Sequence, residues 1–221
     1  MNFMEAMKNR HSVRSYLDKP IEADKTEKLQ EEINACNREG GLHIQLITNE
    51  PQAFSGMMAH YGNFKGVRNY IAMVGKKSGD LEERLGYYGE RIVLLAQSLG
   101  LNTCWVALTY SKRKAKIKVE KGEKVVCVIS LGYGETQGKP HKDKPMEQLC
   151  AVKGDMPDWF RSGMEAAMLA PTAVNQQKFL LTLTDSGVKA EFLKGPYSAL
   201  DLGIVKYHFE LGAGKENFTW N

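Results

Sequence analysis

Arg10-His11-Ser12-Val13-Arg14-Ser15-Tyr16, close to the start of a 221-residue chain, and Ala170-Pro171-Thr172-Ala173-Val174-Asn175-Gln176-Gln177, in its last quarter, decide how this sequence reads. The first stretch packs two guanidiniums, an imidazole and serine hydroxyls into a loop after an amphipathic start. Such a loop suits a phosphate or a polyhydroxyl chain, because Arg donates charge-assisted bonds in a fixed fork. The second stretch ends a helix at Pro171 and continues with small and amide side chains. That turn can offer backbone and carboxamide groups to a flat polar ligand.

Around these two segments the pattern alternates helices and strands. Asp24 with Glu27 three residues on reads as a capping box, followed by Leu29, Ile33 and Cys36 at helical spacing and a stop at Gly40-Gly41. Residues 42–48 read as a strand, 50–68 as a long loop and 70–75 as a short buried strand. Leu81, Leu85, Tyr88, Ile92, Leu95 and Leu99 mark about five helical turns halted at Gly100. The apolar run 125–131 reads as a central strand. Pro157 opens a helix that runs to Pro171, strands at 179–184 and 188–193 flank Asp185-Ser186-Gly187, and a last helix spans 200–211, ended by Gly212. Ile92-Val93 and Leu99-Gly100 recur as Ile204-Val205 and Leu211-Gly212 at a constant offset, a weak internal repeat.

Several chemistries are disfavoured. Cys36, Cys104, Cys127 and Cys150 form no CxxC pair, and the five histidines lack metal-ligand spacing, so no metal site is expected. Gly132-Tyr133-Gly134-Glu135-Thr136-Gln137-Gly138 follows a strand, but its third glycine is one residue late for a dinucleotide fingerprint and the sequence after it cannot open a helix. No triad elbow or Walker loop is present, and no catalytic side chain is assigned. A net charge of +4 suits an anionic cofactor. The basic run from Lys112 to Lys124 lacks aromatic interleaving, so it reads as a solvated face and nucleic acid is not expected. No apolar run reaches membrane-spanning length and the N-terminus has no signal-like core, so a cytoplasmic protein is expected.

The RHSVRSY and APTAVNQQ segments, with Leu99-Gly100-Leu101-Asn102-Thr103-Cys104-Trp105-Val106-Ala107, resemble the signature segments of the FMN-dependent nitroreductase family. The resemblance implies an α+β, nitroreductase-like fold with a central, mostly antiparallel sheet flanked by helices. It also implies an oxidoreductase that passes hydride from NADH or NADPH through flavin N5, by a ping-pong mechanism, to a small electron-poor acceptor such as a nitroaromatic or quinone. By this resemblance Arg10, His11 and Ser12 hold the FMN phosphate or ribityl chain with help from Lys142 and Lys144. Arg14 lies near the edge where reduced flavin gathers negative charge. The backbone of Val106 and Ala107 lies by N5, and Pro171, Thr172, Ala173, Asn175 and Gln177 cover the other side. The APTAVNQQ segment comes late compared with ordinary members. The chain therefore resembles a branch in which one polypeptide supplies both sides of the site, a pseudo-dimer with half-units 1–153 and 154–221, as a monomer or homodimer. The competing expectation is a flavin-binding or regulatory protein without turnover.

Overall fold

Residues 125–131 are almost wholly apolar because the strand they form is covered on both faces. The computed structural model describes residues 3–221. In it that run lies within β4 (Glu123–Gly132), one of the two inner strands of a four-stranded antiparallel sheet ordered β1-β2-β4-β3, with β1 Gln45–Ile47, β2 Asn69–Lys76 and β3 Asn102–Val106. Tyr70 and Cys104 both pair with Ser130, on opposite edges of β4. A bulge between Met73 and Val74 shifts the β2–β4 register. The chain divides into two compact units that interleave along the sequence. One comprises Asn9–Leu81 and Ile92–Pro140, and contains this sheet. The other comprises the N-terminal residues through Lys8, Glu82–Arg91 and His141–Asn221.

In the sheet unit, Phe54, Phe64, Tyr70, Tyr110, Val106 and Val128 build one core cluster. Helix α1 (Phe3–Asn9) precedes the unit and α2 (Ala23–Gly40) belongs to it. The capping box expected at Asp24 does not form. Glu22 already holds the extended N-cap conformation and makes no side-chain cap bond, so Asp24 lies inside the first turn and faces Lys28 at 3.8 Å. The far end is as expected, with Gly41 in the left-handed region at φ 58°. The strand expected over 42–48 shrinks to Gln45–Ile47, with Leu42 in a single bridge to Gly75. The expected long loop folds more than foreseen. Glu50, buried, accepts from Tyr70 Oη at 3.0 Å and from the backbone N–H of Gln52 and Ala53, and a short helix α3 (Met57–Tyr61) follows.

In the second unit, α5 (Asp158–Met168) lies against α6 (Ser198–Ala213), beside a three-stranded sheet β5-β6-β7 (Cys150–Ala151, Phe179–Thr184, Gly187–Phe192). The β6–β7 pair is antiparallel, while the two-residue β5 runs parallel to β6. The long helix α4 (Leu81–Ser98) contributes residues 82–91 to this unit. There its backbone nearly touches α6. A Cβ placed on Gly86 would stand 2.0 Å from the Leu200 carbonyl oxygen, and one on Gly203 would stand 1.9 Å from that of Glu83. Only glycine permits so close a crossing. Around it Lys206 Nζ meets Glu83 at 2.7 Å, Tyr87 Oη donates to Glu210 at 2.5 Å, and the wholly buried His208 pairs with the wholly buried Glu90 at 3.0 Å. A ring cluster of Trp159, Phe160, Phe209, Phe218 and Trp220 closes the far end of α5 and α6.

Gly212 does not end the last helix as expected. It stays helical because a Cβ there would meet Ala166 and the Ser162 carbonyl of α5, and the helix stops at Gly214 instead. Gly100, at φ 78°, does follow the end of α4, so the apparent repeat between the two helices ends before its glycines.

Candidate functional site

Residues 10–16 form an extended strip rather than a free loop. Val13 N–H donates to Thr103 O at 3.0 Å, Lys65 N–H to Arg14 O at 3.0 Å, Tyr16 N–H to Lys65 O at 2.9 Å and Glu135 N–H to Ser15 O at 2.9 Å. Tyr16 Oη, buried, bonds the Val13 carbonyl at 2.7 Å and Ser130 Oγ at 2.8 Å. In an extended chain alternate residues share a face, which puts Arg10, Ser12 and Arg14 together. They converge on Cys104 in β3. Burial pushes that thiol's pKa up, against the pull of the Arg14 charge, a bond from Ser12 and the Arg10 charge. Arg10 is buried, while Arg14 is exposed with its guanidinium 6.0 Å from the centre of the Phe64 ring.

The glycine-rich turn after β4 lies along this strip. Asn102 Oδ1 accepts from Gly134 N–H at 2.9 Å and its amide donates to Gln137 at 3.0 Å. Gly138, at φ 74°, leaves 2.8 Å between an added Cβ and His11 Cβ, so the turn can approach only with glycine there. Val106 is buried at the end of β3, and Ala107 follows where the strand stops.

The other group of expected residues lies in the second unit. After α5, Pro171 and Thr172 lead into a single tight turn, Ala173–Asn175. Val174, Asn175 and Gln177 all take positive φ, at 47°, 54° and 44°. For a β-branched residue such as Val174, 90% exposed, this backbone is strained, and strain of this kind gathers at functional sites. Two backbone bonds close the turn, from Asn175 N–H to Thr172 O and from Gln176 N–H to Ala173 O, each at 3.0 Å, and side chains hold the rest of the loop. Gln177 N–H donates to Thr172 Oγ1 at 3.0 Å. The Gln177 amide donates to Lys142 O at 2.9 Å and accepts from Lys144 N–H at 2.9 Å, and Asn175 also donates to Lys142 O. Lys144 Nζ is committed to the carbonyls of Gln176 and Gln177, at 2.7 and 3.1 Å, whereas the Lys142 side chain is exposed.

Three contributors were not foreseen. Asp201, buried in the first turn of α6, accepts from Ala173 N–H at 3.0 and 3.1 Å and from Gln176 Nε2 at 2.7 Å. Burial raises its carboxyl from 3.8 to about 6 despite these two donors. An acid flanked by Leu200 and Leu202 in an apolar helix was the signal available for it. Asn102 and Tyr16 sit inside the quoted segments, but nothing local marks their partners across the sheet unit. Among the described residues, no group of three or more His, Cys, Asp or Glu could hold a metal. No helix among them is long and apolar enough to cross a membrane.

Helices around an antiparallel sheet are what the comparisons with known proteins match. The model of the TM nitroreductase family matches residues 2–213, and the chain belongs to that family. Among solved structures, one named as a nitroreductase from Thermotoga maritima aligns with a TM-score of 0.68 at 24% identity, covering 98% of this chain and 85% of that one. One named NADH dehydrogenase/NAD(P)H nitroreductase, from Parabacteroides distasonis, aligns at 0.53 with 24% identity over 67% of this chain and 97% of its own. A nitroreductase from Desulfovibrio desulfuricans, in complex with FMN, aligns at 0.54 with 14% identity over 71% and 98%. No curated protein matches the chain.

Proposed function

We propose that this protein is an FMN-dependent oxidoreductase, taking electrons from NADH or NADPH and delivering them to a small electron-poor acceptor. The observation that carries the reading is that Arg10, Ser12 and Arg14 stand at alternate positions of a strip pinned to β3 by backbone bonds, all within reach of Cys104 there. Two guanidiniums and a hydroxyl are the donor chemistry that a phosphate and a ribityl chain require. Family membership and the FMN complex among the structural relatives support the same cofactor.

FMN would supply hydride transfer at N5; the protein's part is binding, orientation and electrostatics. Arg10 and Ser12, with His11 beside them, would hold the anionic end, and the exposed Lys142 would add a cation. Arg14 would favour the negative charge of a reduced cofactor. The backbone of Val106 and Ala107 would supply an N–H to the reactive edge. Pro171, Thr172, Ala173, Asn175 and Gln177 offer the amide and backbone groups of the opposite cover, with Lys144 acting through the loop it stitches. A single chain supplying both sets of ligands is the pseudo-dimer arrangement. It is supported by the smaller relatives, which span nearly their whole length on only 67–71% of this chain.

The test is spectroscopic. The purified chain should be yellow, retain one FMN per polypeptide, and bleach under anaerobic conditions when NADH or NADPH is added. Yellow protein that neither nucleotide bleaches removes the reductase reading and leaves flavin binding. Colourless protein that cannot be reconstituted with FMN removes both.

A further inference from the structure

The loop at 172–177 has three residues in the left-handed region, and its own backbone bonds, from Asn175 N–H to Thr172 O and from Gln176 N–H to Ala173 O, close the turn without fixing it to its neighbours. Its outer half is stitched by Lys144 and the carbonyl of Lys142. Its inner half, the Ala173–Asn175 turn, is tied to α6 through Asp201. That carboxylate takes both the Ala173 N–H and the Gln176 amide, from a buried place on α6. The same Gln176 amide also reaches the Pro196 carbonyl, just before α6 begins, at 2.8 Å.

We propose that Asp201 is the positioning residue of this loop: its ionised carboxylate holds the loop in the form that meets the cofactor, and protonation loosens it. The proposal rests on the FMN reading for what the loop meets, but not for how the loop is held.

A carboxylate accepts two donors at once, each bond charge-assisted. Protonated, the same group must spend one oxygen as a donor, and nothing around it offers a matching acceptor among the bonds described. The charged and titratable groups on the neighbouring elements are engaged elsewhere. Glu83 and Glu90 of α4 pair with Lys206 and His208 of α6. His141 faces Asp143 and the Met168 carbonyl, Lys144 the carbonyls of Gln176 and Gln177, and Lys178 the Lys194 carbonyl. The raised carboxyl of Asp201, near 6, arises from burial set against its two donors, with no charged neighbour contributing. The anchor therefore changes state close to neutral pH.

The experiment follows the Ala173 amide and the Gln176 side-chain amide by NMR in the full chain, from pH 5 to 8. FMN affinity is measured by flavin fluorescence at the same pH values. In wild type both amides should titrate together with a midpoint near 6. Asp201→Asn should abolish that titration and weaken FMN about tenfold at pH 7.5, the scale of one charge-assisted bond. Because the FMN phosphate itself titrates near pH 6, the informative quantity is the ratio of wild-type to variant affinity. That ratio should fall toward one as pH drops to 5. Gln176→Ala, which keeps the carboxylate, should preserve the Ala173 titration and so serves where Asp201→Asn folds poorly. An Ala173 amide that does not titrate, or that titrates equally in Asp201→Asn, overturns the proposal. Wild-type protein that binds no FMN while Ala173 titrates as described overturns the cofactor reading and leaves the loop anchor standing.

Discussion

The strip at residues 10–16 and the loop at 172–177 carry the two sets of candidate ligands, and they are held in opposite ways. The strip is fixed by backbone bonds to Thr103, Lys65 and Glu135, which do not depend on side-chain identity, and its backbone takes no positive φ. The loop closes its own turn with two backbone bonds but is fixed to its surroundings by the side chains of Asp201, Gln176, Gln177, Thr172 and Lys144, and has three residues in the left-handed region. A backbone ladder tolerates changes of sequence and pH. A side-chain scaffold transmits both to the site. The strip is thus the constant part of the candidate site and the loop its adjustable part.

The strongest way to break this contrast is through pH. Asp201 carries a carboxyl near 6 in the fold and 3.8 when unconstrained, so the folded chain holds that proton more tightly than the unfolded one. Its contribution to stability is greatest below about pH 4 and is lost as pH rises through 6, on the order of 3 kcal/mol in total. Urea unfolding of wild type and Asp201→Asn at pH 4 to 7 should show the variant gaining relative stability across that window. Global stability and loop order then move in opposite directions with pH, and parallel curves for the two proteins would contradict the buried carboxylate.

Next in size is Arg10→Ala, which should weaken FMN by about 1.5–3 kcal/mol, the cost of losing a hydrogen bond to a charged group. Flavin content after dialysis reads it, and unchanged content removes Arg10 from the site. Tyr16→Phe tests the ladder itself. Loss of the hydroxyl leaves Ser130 and the Val13 carbonyl short of a partner in a buried place, costing about 1–2 kcal/mol of stability. FMN affinity should barely change, because the backbone bonds of the strip remain; a large loss of affinity would show that the strip is no more robust than the loop. The smallest effect is expected at Val174→Gly. Relief of the left-handed strain outweighs the extra flexibility of glycine, for a net gain of about 1 kcal/mol in thermal unfolding. A loss of stability there would mean that the loop is not strained.

The sequence made some of this legible and hid the rest for physical reasons. The helix over 81–98 and the strand inside 123–132 carry long apolar patterns, which burial writes directly into the chain. The 10–16 segment showed its chemistry but not its extended form, because its bonds go to Thr103, Lys65 and Glu135, all distant in sequence. A strand of two residues such as β5 leaves no period to read. Gly212 looked like a helix stop because a glycine required by a close neighbour and one required by a turn are the same letter. Asp201 carries no local mark of its role because its two donors lie 25 and 28 residues earlier, on a loop whose return to α6 is a tertiary event.

The crossing of Gly86 and Gly203 also sets a timetable for synthesis. The contact of Glu90 with His208 waits for a partner 118 residues downstream. At about 5–20 residues per second a ribosome needs roughly 6–24 seconds to deliver it. For that interval residues 82–91 have been made but α6 has not, and the unit they share can close only once α6 is available. A nascent chain stalled before residue 200 should therefore expose this face to chaperones, while one from which residues through 213 have left the ribosome should not.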